Sequence, residues 1–450
     1  MRKKSKKQLP LMPDASDHPQ AAELENISRI LDANPIICDL AMQDICKVSK
    51  GEHKSGANGM TAEQAVRAAI VKQMFNFCYK DLAFHIVDSK SLRRFMRIGI
   101  ADKGFKKSTL NNNIKALSAQ TWEAINGQLV QYAAEEKIEK AREVRIDCTV
   151  VESNIHEPTD SSLLWDSVRV LTRLLHRAKE DYGLRILFQD HSRRAKRRLL
   201  GIMNSRSIKD RKRKYTDLIK VTDKTINYAH KAIEAIDKGA STSNGLILLR
   251  LDLNQYSQLA ARVVDQTQRR VLLGESVPAA DKVVSLFETH TDIIVKDRRD
   301  TFFGHKICLA GGASNLIVDC LIVDGNPADS SLTVEMLDRQ KQLYGKYPLK
   351  VALDGGFASK ENLNKAKEKQ IKDVCFAKKR GLEVEKMCRS PWVYDRLRRF
   401  RAGIESGISW VKRCFGMTRC TWKGLRSFKS YVWASIVAAN LLTLARKQTA

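Results

Sequence analysis

The sequence has no C-x-x-C pair. Its ten cysteines and nine histidines are scattered along 450 residues, Cys414 and Cys420 being the closest cysteines. A structural zinc site needs ligands grouped at short spacing, so none is expected. The start, "MRKKSKKQLPLMPD", has no apolar stretch behind its basic residues. It reads as a basic arm and not a secretory signal, which makes the cysteines reduced thiols of a cytoplasmic protein. No apolar run is long enough to span a bilayer: "YVWASIVAANLLTLA" at 431–445 is broken by Ser435, Asn440 and Thr443 and falls short of the ~18–20 residues required. It reads as a packed helix. No internal repeat at a fixed period is evident. Acid is scarce too, with 51 Asp and Glu against 79 Lys and Arg, a net charge of +28. Such an excess points to a polyanionic partner, nucleic acid first and a membrane surface second.

What is present organises the chain into two or three cores' worth of residues. Residues 1–60 hold the arm, a helix at 20–32 and a linker-like break, "KVSKGEHKSGANGM". Residues 61–140 form a helical unit of helix-turn-helix character, opened by Thr61 as N-cap. Periodicity alone makes it a packing domain; Lys106, Lys107 and Lys115 around its last short helix weigh towards DNA. The strand "VRIDCTVV" follows, within 141–160. Residues 161–288 are helical in period, look inserted, and contain the most basic stretch, 193–215. Within 289–450, strands return at "DIIVKD", "GHKICLAG", "NLIVDCLIVDG", "LKVALD" and "KDVCFA", with helices at 331–343, 359–368, about 400–415 and 425–446. The fold class is a mixed α/β sheet opened after its first strand.

Three acids stand out. Asp147 interrupts the apolar, β-branched run of the first strand, where a charge needs a basic partner or a metal ion. Asp354 ends "LKVALD" and precedes "GGFAS", at the carboxyl end of a strand where sites form in α/β sheets; capping the turn is the plainer alternative. Glu405 shares a helix face with Arg401 and Lys412 in "RRFRAGIESGISWVKRCFG", which equally describes a solvated salt-bridge face. Convergence of all three on a pair of divalent ions would explain every placement. Hard cations take oxygen ligands, activate an attacking hydroxyl and stabilise the leaving oxygen of a phosphodiester.

The stretches "RIDCTVVESNIHEPTDSSLLWDSVRVL", "VALDGGFAS" and "GIESGISWVKRCFG", with "YKDLAFHIVDSKSLRRFMRIG" and "KSTLNNNI" before them, resemble the DDE transposases of bacterial insertion sequences, particularly those of ISNCY type. The resemblance implies an RNase H-like catalytic core split by the helical insertion, with Asp147, Asp354 and Glu405 as catalytic metal ligands. Glu405 and Lys412 match the E-x₆-K element of related transposases. Arg401 matches the arginine of their Y-x₂-R-x₃-E-x₆-K signature, although Arg398 replaces its tyrosine. Glu152 reads as a supporting acid; Thr159, Asp160 and Ser161 cap the next helix. His156 and Trp165 belong to the matched stretch without an evident physical role.

The resemblance further implies binding of terminal inverted repeats, cleavage at the element's ends, and joining of the 3′-hydroxyl to target DNA, with two Mg²⁺ ions or Mn²⁺ in their place. Duplex DNA is the partner and a homo-oligomer on DNA the expected assembly, in a prokaryotic cytoplasm at the nucleoid, with no membrane role. Lys412 and Arg401, Arg193, Arg194, Lys196, Arg197 and Arg198 in the insertion, and Lys106 and Lys107 are the expected DNA contacts. The rivals are a metal-dependent nuclease or resolvase of the same fold and a non-catalytic DNA-binding derivative. The three intact acids argue against the second.

Overall fold

The computed structural model describes Lys4 and residues 18–48, 59–239, 243–296 and 300–448; the rest of the expected basic arm and most of the linker lie outside these. Helices α1 (Pro19–Ala33), α2 (Ile36–Val48), α3 (Ala62–Met74), α4 (Tyr79–Asp88), α5 (Lys90–Phe95), α6 (Lys107–Ala116) and α7 (Ala119–Glu135) precede strand β1 (Glu143–Glu152). Then come α8 (Asp160–Glu180), α9 (Ser192–Met203), α10 (Ile208–Lys238) and α11 (Asn244–Thr267). Strands β2 (Asp292–Lys296), β3 (Asp300–Gly312) and β4 (Ile317–Ile322) lead to α12 (Thr333–Tyr344), β5 (Lys350–Leu353), α13 (Lys360–Glu368) and β6 (Asp373–Phe376). The chain closes with α14 (Val384–Met387), α15 (Pro391–Cys414) and α16 (Leu425–Gln448). Residues 1–154 and 294–450 form one compact unit, residues 155–293 a second.

The first unit is built on a six-stranded mixed sheet in the order β2-β3-β1-β5-β6, with β4 also paired to β3. β1 runs antiparallel to β3 and parallel to β5, and β5 runs parallel to β6. The β-branched and apolar runs of these strands are buried, as strands covered on both faces should be. One hydrophobic cluster joins the sheet to α3, α7, α15 and α16, so the helices before residue 140 share its core and do not enclose a separate one. Two buried asparagines complete that joint: Asn440 of α16 bonds both backbone groups of Ile317, and Asn126 of α7 donates to the Val318 carbonyl. Side chains thereby satisfy the backbone of β4 where no further strand pairs with it. Among the described residues α16 alone has the length and apolar content to cross a membrane, yet 89% of its apolar window is buried inside the protein.

Two capping signals act as expected. Thr61 and Thr159 each form a reciprocal capping box, opening α3 and α8. α15, in contrast, begins at Pro391 and not near 400. Ser390 accepts from the Val393 amide and Pro391 occupies the first turn, where its missing N–H is harmless.

The second unit packs α8, α9, α10 and α11 around an apolar core of its own, including Leu164, Leu171, Leu218, Leu249 and Val263. Asp160, at the start of α8, is buried and accepts two 3.0 Å bonds from Arg270 and one of 3.2 Å from Gln266. Its role is to pin α8 to the end of α11. Arg169 stacks on Trp165, its guanidinium 4.8 Å from the indole centroid, and pairs with Asp166, which His156 approaches to 3.6 Å.

Candidate active site

The parallel register of β1 and β5 sets Ile146 opposite Leu353, so the next residue of each strand, Asp147 and Asp354, emerges side by side. Two glycines let the chain turn immediately after Asp354. A side chain on Gly355 would come within 2.6 Å of Lys378 Cβ, and one on Gly356 within 2.7 Å of the Asp329 carboxylate. Asp329 is itself held by Lys306 of β3 at 2.8 Å, and Asn362 ties the Phe357 and Ser330 carbonyls together. Asp354 also caps the turn, accepting weakly from the Gly356 amide at 3.5 Å.

α15 crosses β1, β5 and β6 and brings Arg401 and Glu405 over these acids. Its close approach depends on Gly403, whose missing side chain leaves room for the Arg145 guanidinium of β1. Arg145 donates to the Phe400 carbonyl (3.1 Å) and to Asn315 (2.6 Å), and lies 4.8 Å from the Phe400 ring centroid.

Arg401 is the hub. Its Nη2 lies 2.9 Å from Asp147 and 3.1 Å from Asp354, and its Nη1 lies 2.5 Å from Glu405. The three acids singled out by sequence therefore meet at one guanidinium. Of the two explanations for the buried Asp147, the basic partner is present, and it is shared with both other acids. Burial pushes the Asp147 carboxyl up to about 6; Arg401, the Cys148 amide and Lys296 oppose this, and Asp354 adds to it. Arg401 Nε is buried with no hydrogen-bond partner among the described residues.

The donor set suits a hard divalent cation: three carboxylates around one point, with acid in excess of base. Among the described residues no three acidic, His or Cys side chains close on one point as they stand, because the guanidinium lies between them. Lys412, further along α15, is not ion-paired with Glu405, whose partner is Arg401. Burial pushes its ammonium down to about 8, the neighbouring Lys296 reinforcing this and Glu152 opposing it. Glu152 lies at the end of β1, where its backbone bonds residues 418 and 420.

Residues 290–441 match the family described as Transposase DDE domain, and residues 14–116 match that described as Transposase domain (DUF772). The chain carries the DDE domain of a transposase. No curated protein and no solved structure matches it. A DDE domain implies an RNase H-like core, divalent metal ions and DNA binding, which accords with the mixed sheet and the acid cluster. The match contains Asp354 and Glu405; Asp147 lies before it, beyond the inserted unit.

The other expected contact residues of the transposase are dispersed. Lys106 and Lys107 are exposed at the start of α6. On α9, Arg194 and Arg198 both bind Asp217 of α10, whereas Arg193, Lys196 and Arg197 are exposed with no ion-pair partner among the described residues. Arg398 is exposed on α15, where the related signature has tyrosine. Sequence reasoning misses Lys296, Lys378 and Asp329 beside the acids. Only the R-x₃-E spacing, which pairs Arg401 with Glu405, foreshadows the hub.

Proposed function

We propose that this transposase, of ISNCY type, binds the terminal inverted repeats of its element, hydrolyses the phosphodiester at each end and joins the freed 3′-hydroxyl to target DNA. The meeting of Asp147, Asp354 and Glu405 at one cationic group carries the reading, since it brings together acids from two strand ends 207 residues apart in sequence and from a helix, three carboxylates to one guanidinium. The same three carboxylates would hold two Mg²⁺ ions, or Mn²⁺ in their place, which would supply activation of the attacking oxygen and stabilisation of the leaving one. Arg401 holds the three acids together, and were metal to take those carboxylates its guanidinium would be available to a DNA phosphate. Lys412 holds the terminal strand in register by its phosphate, a contribution to orientation. No Tyr or Ser nucleophile is required, because water and the 3′-hydroxyl attack in turn. DNA assembles the protein as a homo-oligomer in a prokaryotic cytoplasm.

The rival within the same fold is a nuclease that cuts without joining. A pre-cleaved element end incubated with the protein, Mg²⁺ and supercoiled plasmid separates them. Joined products are expected; end cleavage with no joining over a range of target DNA would assign the chain to the nuclease class.

A further inference from the structure

The turn between α9 and α10 combines two features that ordinary surfaces keep apart. Residues 193–215 contain eleven Lys and Arg and a single acid, Asp210. Within them Leu200, Met203 and Ile208 stand 49%, 69% and 74% exposed. Leu200 and Met203 share a face of α9 at i and i+3, and Ile208 opens α10 directly after the turn. Unit 155–293 has further exposed apolar side chains, but these three are the ones set inside the basic run. Solvated lysines and arginines alone would explain a phosphate-binding face; they do not explain large aliphatic side chains held out among them.

The turn that presents them is braced from within. Lys214 of α10 donates to the Gly201 carbonyl at 3.1 Å and to Ser205 at 2.9 Å, and pairs with Asp210 at 2.5 Å. Ser205 in turn donates to the Gly201 carbonyl at 2.6 Å, and Arg211 to the Ser205 carbonyl at 3.2 Å. A corner tied in this way keeps its shape under load. Around it Arg197, Arg206 and Lys209 are exposed and have no ion-pair partner among the described residues, and Asn204 is exposed in the turn itself.

We infer that this corner is a minor-groove wedge: Met203 and Ile208, supported by Leu200, enter a base step of duplex DNA while Arg197, Arg206 and Lys209 grip the flanking phosphates. Leu, Ile and Met are among the side chains that serve as such wedges, and partial unstacking kinks the duplex by roughly 20–90°. Charge decides against a second copy of the chain as the occupant, since two such corners meeting would face eleven bases with eleven. A stable protein interface also needs roughly 800 Å² per partner, far beyond three side chains. An anionic membrane would suit an apolar stripe along a whole helix, whereas Ala195 and Ile202 of α9 are turned into the unit's own core. The inference rests on the proposal that this transposase contacts DNA through its insertion.

The test uses the full-length protein and a short mixed-sequence duplex carrying a donor dye at one end and an acceptor at the other. Wild-type protein should raise energy transfer by bending the duplex. M203Q/I208Q should lose that rise yet keep the wild-type slope of log affinity against log salt. R197Q/R206Q/K209Q should lower the slope by about 0.9 for each phosphate contact removed. All five positions are exposed and glutamine suits a helix, so both proteins should retain the wild-type circular dichroism. Bending by M203Q/I208Q equal to wild type sinks the wedge while leaving phosphate contact standing. An unchanged slope in R197Q/R206Q/K209Q sinks the underlying assignment of DNA contact to the insertion. Loss of binding to anionic phospholipid vesicles by M203Q/I208Q, with DNA bending intact, would give the corner to a membrane.

Discussion

At the scale of the residue, Arg401 and Lys412 lie on one helix and near one site but do different work, and a Mg²⁺ titration distinguishes them. If metal takes these three carboxylates as proposed, Arg401 competes with it for them. Arg401→Ala should therefore destabilise the metal-free protein, by about 1–3 kcal/mol given that Glu405 is largely solvated. It should also shift the Mg²⁺ midpoint for thermal stabilisation about ten- to a hundredfold lower, in keeping with losing a charge-assisted bond worth ~1.5–3 kcal/mol. An unchanged or higher midpoint would mean that the guanidinium does not occupy the metal's place. Lys412 touches none of the acids, so Lys412→Ala should leave that midpoint alone and lower the plateau of the cleavage rate. A shifted midpoint with full recovery at high Mg²⁺ would show instead that Lys412 serves the acids.

At the scale of the element, α15 decides whether the helix-borne Arg401 and Glu405 reach the strand-borne acids. Gly403 and Gly407 occupy the same helix one turn apart, and differ only in what lies beyond them. A methyl group at 403 would overlap the Arg145 guanidinium, while at 407 it would meet nothing within 4 Å. Gly407→Ala should stabilise the protein by up to ~1 kcal/mol through helix propensity. Gly403→Ala should be net destabilising by about 1–2 kcal/mol, overpacking of ~1–3 kcal/mol outweighing the same propensity gain, and should slow cleavage by lifting α15. Urea denaturation of both variants checks the contrast; equal stabilisation would remove Arg145 from the docking of α15. This helix also shows how far the sequence can be read. Its apolar stripe, Ile404, Ile408 and Val411, faces the core as periodicity requires. Its first turns, "PWVYDRLRRF", carry the same stripe back through the buried Val393, Tyr394 and Leu397, but four charged residues interleave it and the Ser-Pro cap that opens the helix lies outside the stripe.

At the scale of the whole chain, most strands were legible because burial on both faces selects β-branched and apolar residues over short runs. Asp147 and Asp354 stand out as exceptions to that pattern, and Glu405 by the helix face it shares with Arg401 and Lys412. The sharing of one guanidinium was not, since it depends on the β1–β5 register and on the docking of α15, both tertiary. Nor was the common core of the N-terminal helices with the sheet, because an apolar helix face does not say which surface will cover it. Charge, in contrast, is additive and can be counted from sequence: the excess of 28 is read directly, though not which cations are paired, as Arg194 and Arg198 are with Asp217.

The central claim is that Asp147, Asp354 and Glu405 act in the chemistry while Lys and Arg provide affinity. Asp147→Asn, Asp354→Asn and Glu405→Gln, each assayed for Mg²⁺-dependent cleavage of an element end and for binding of the same DNA, test it most directly. Each substitution should reduce cleavage to background and leave DNA affinity within a few-fold of wild type. Substantial cleavage by any one of the three would take that residue out of the site, and loss of binding in step with cleavage would make the acids structural.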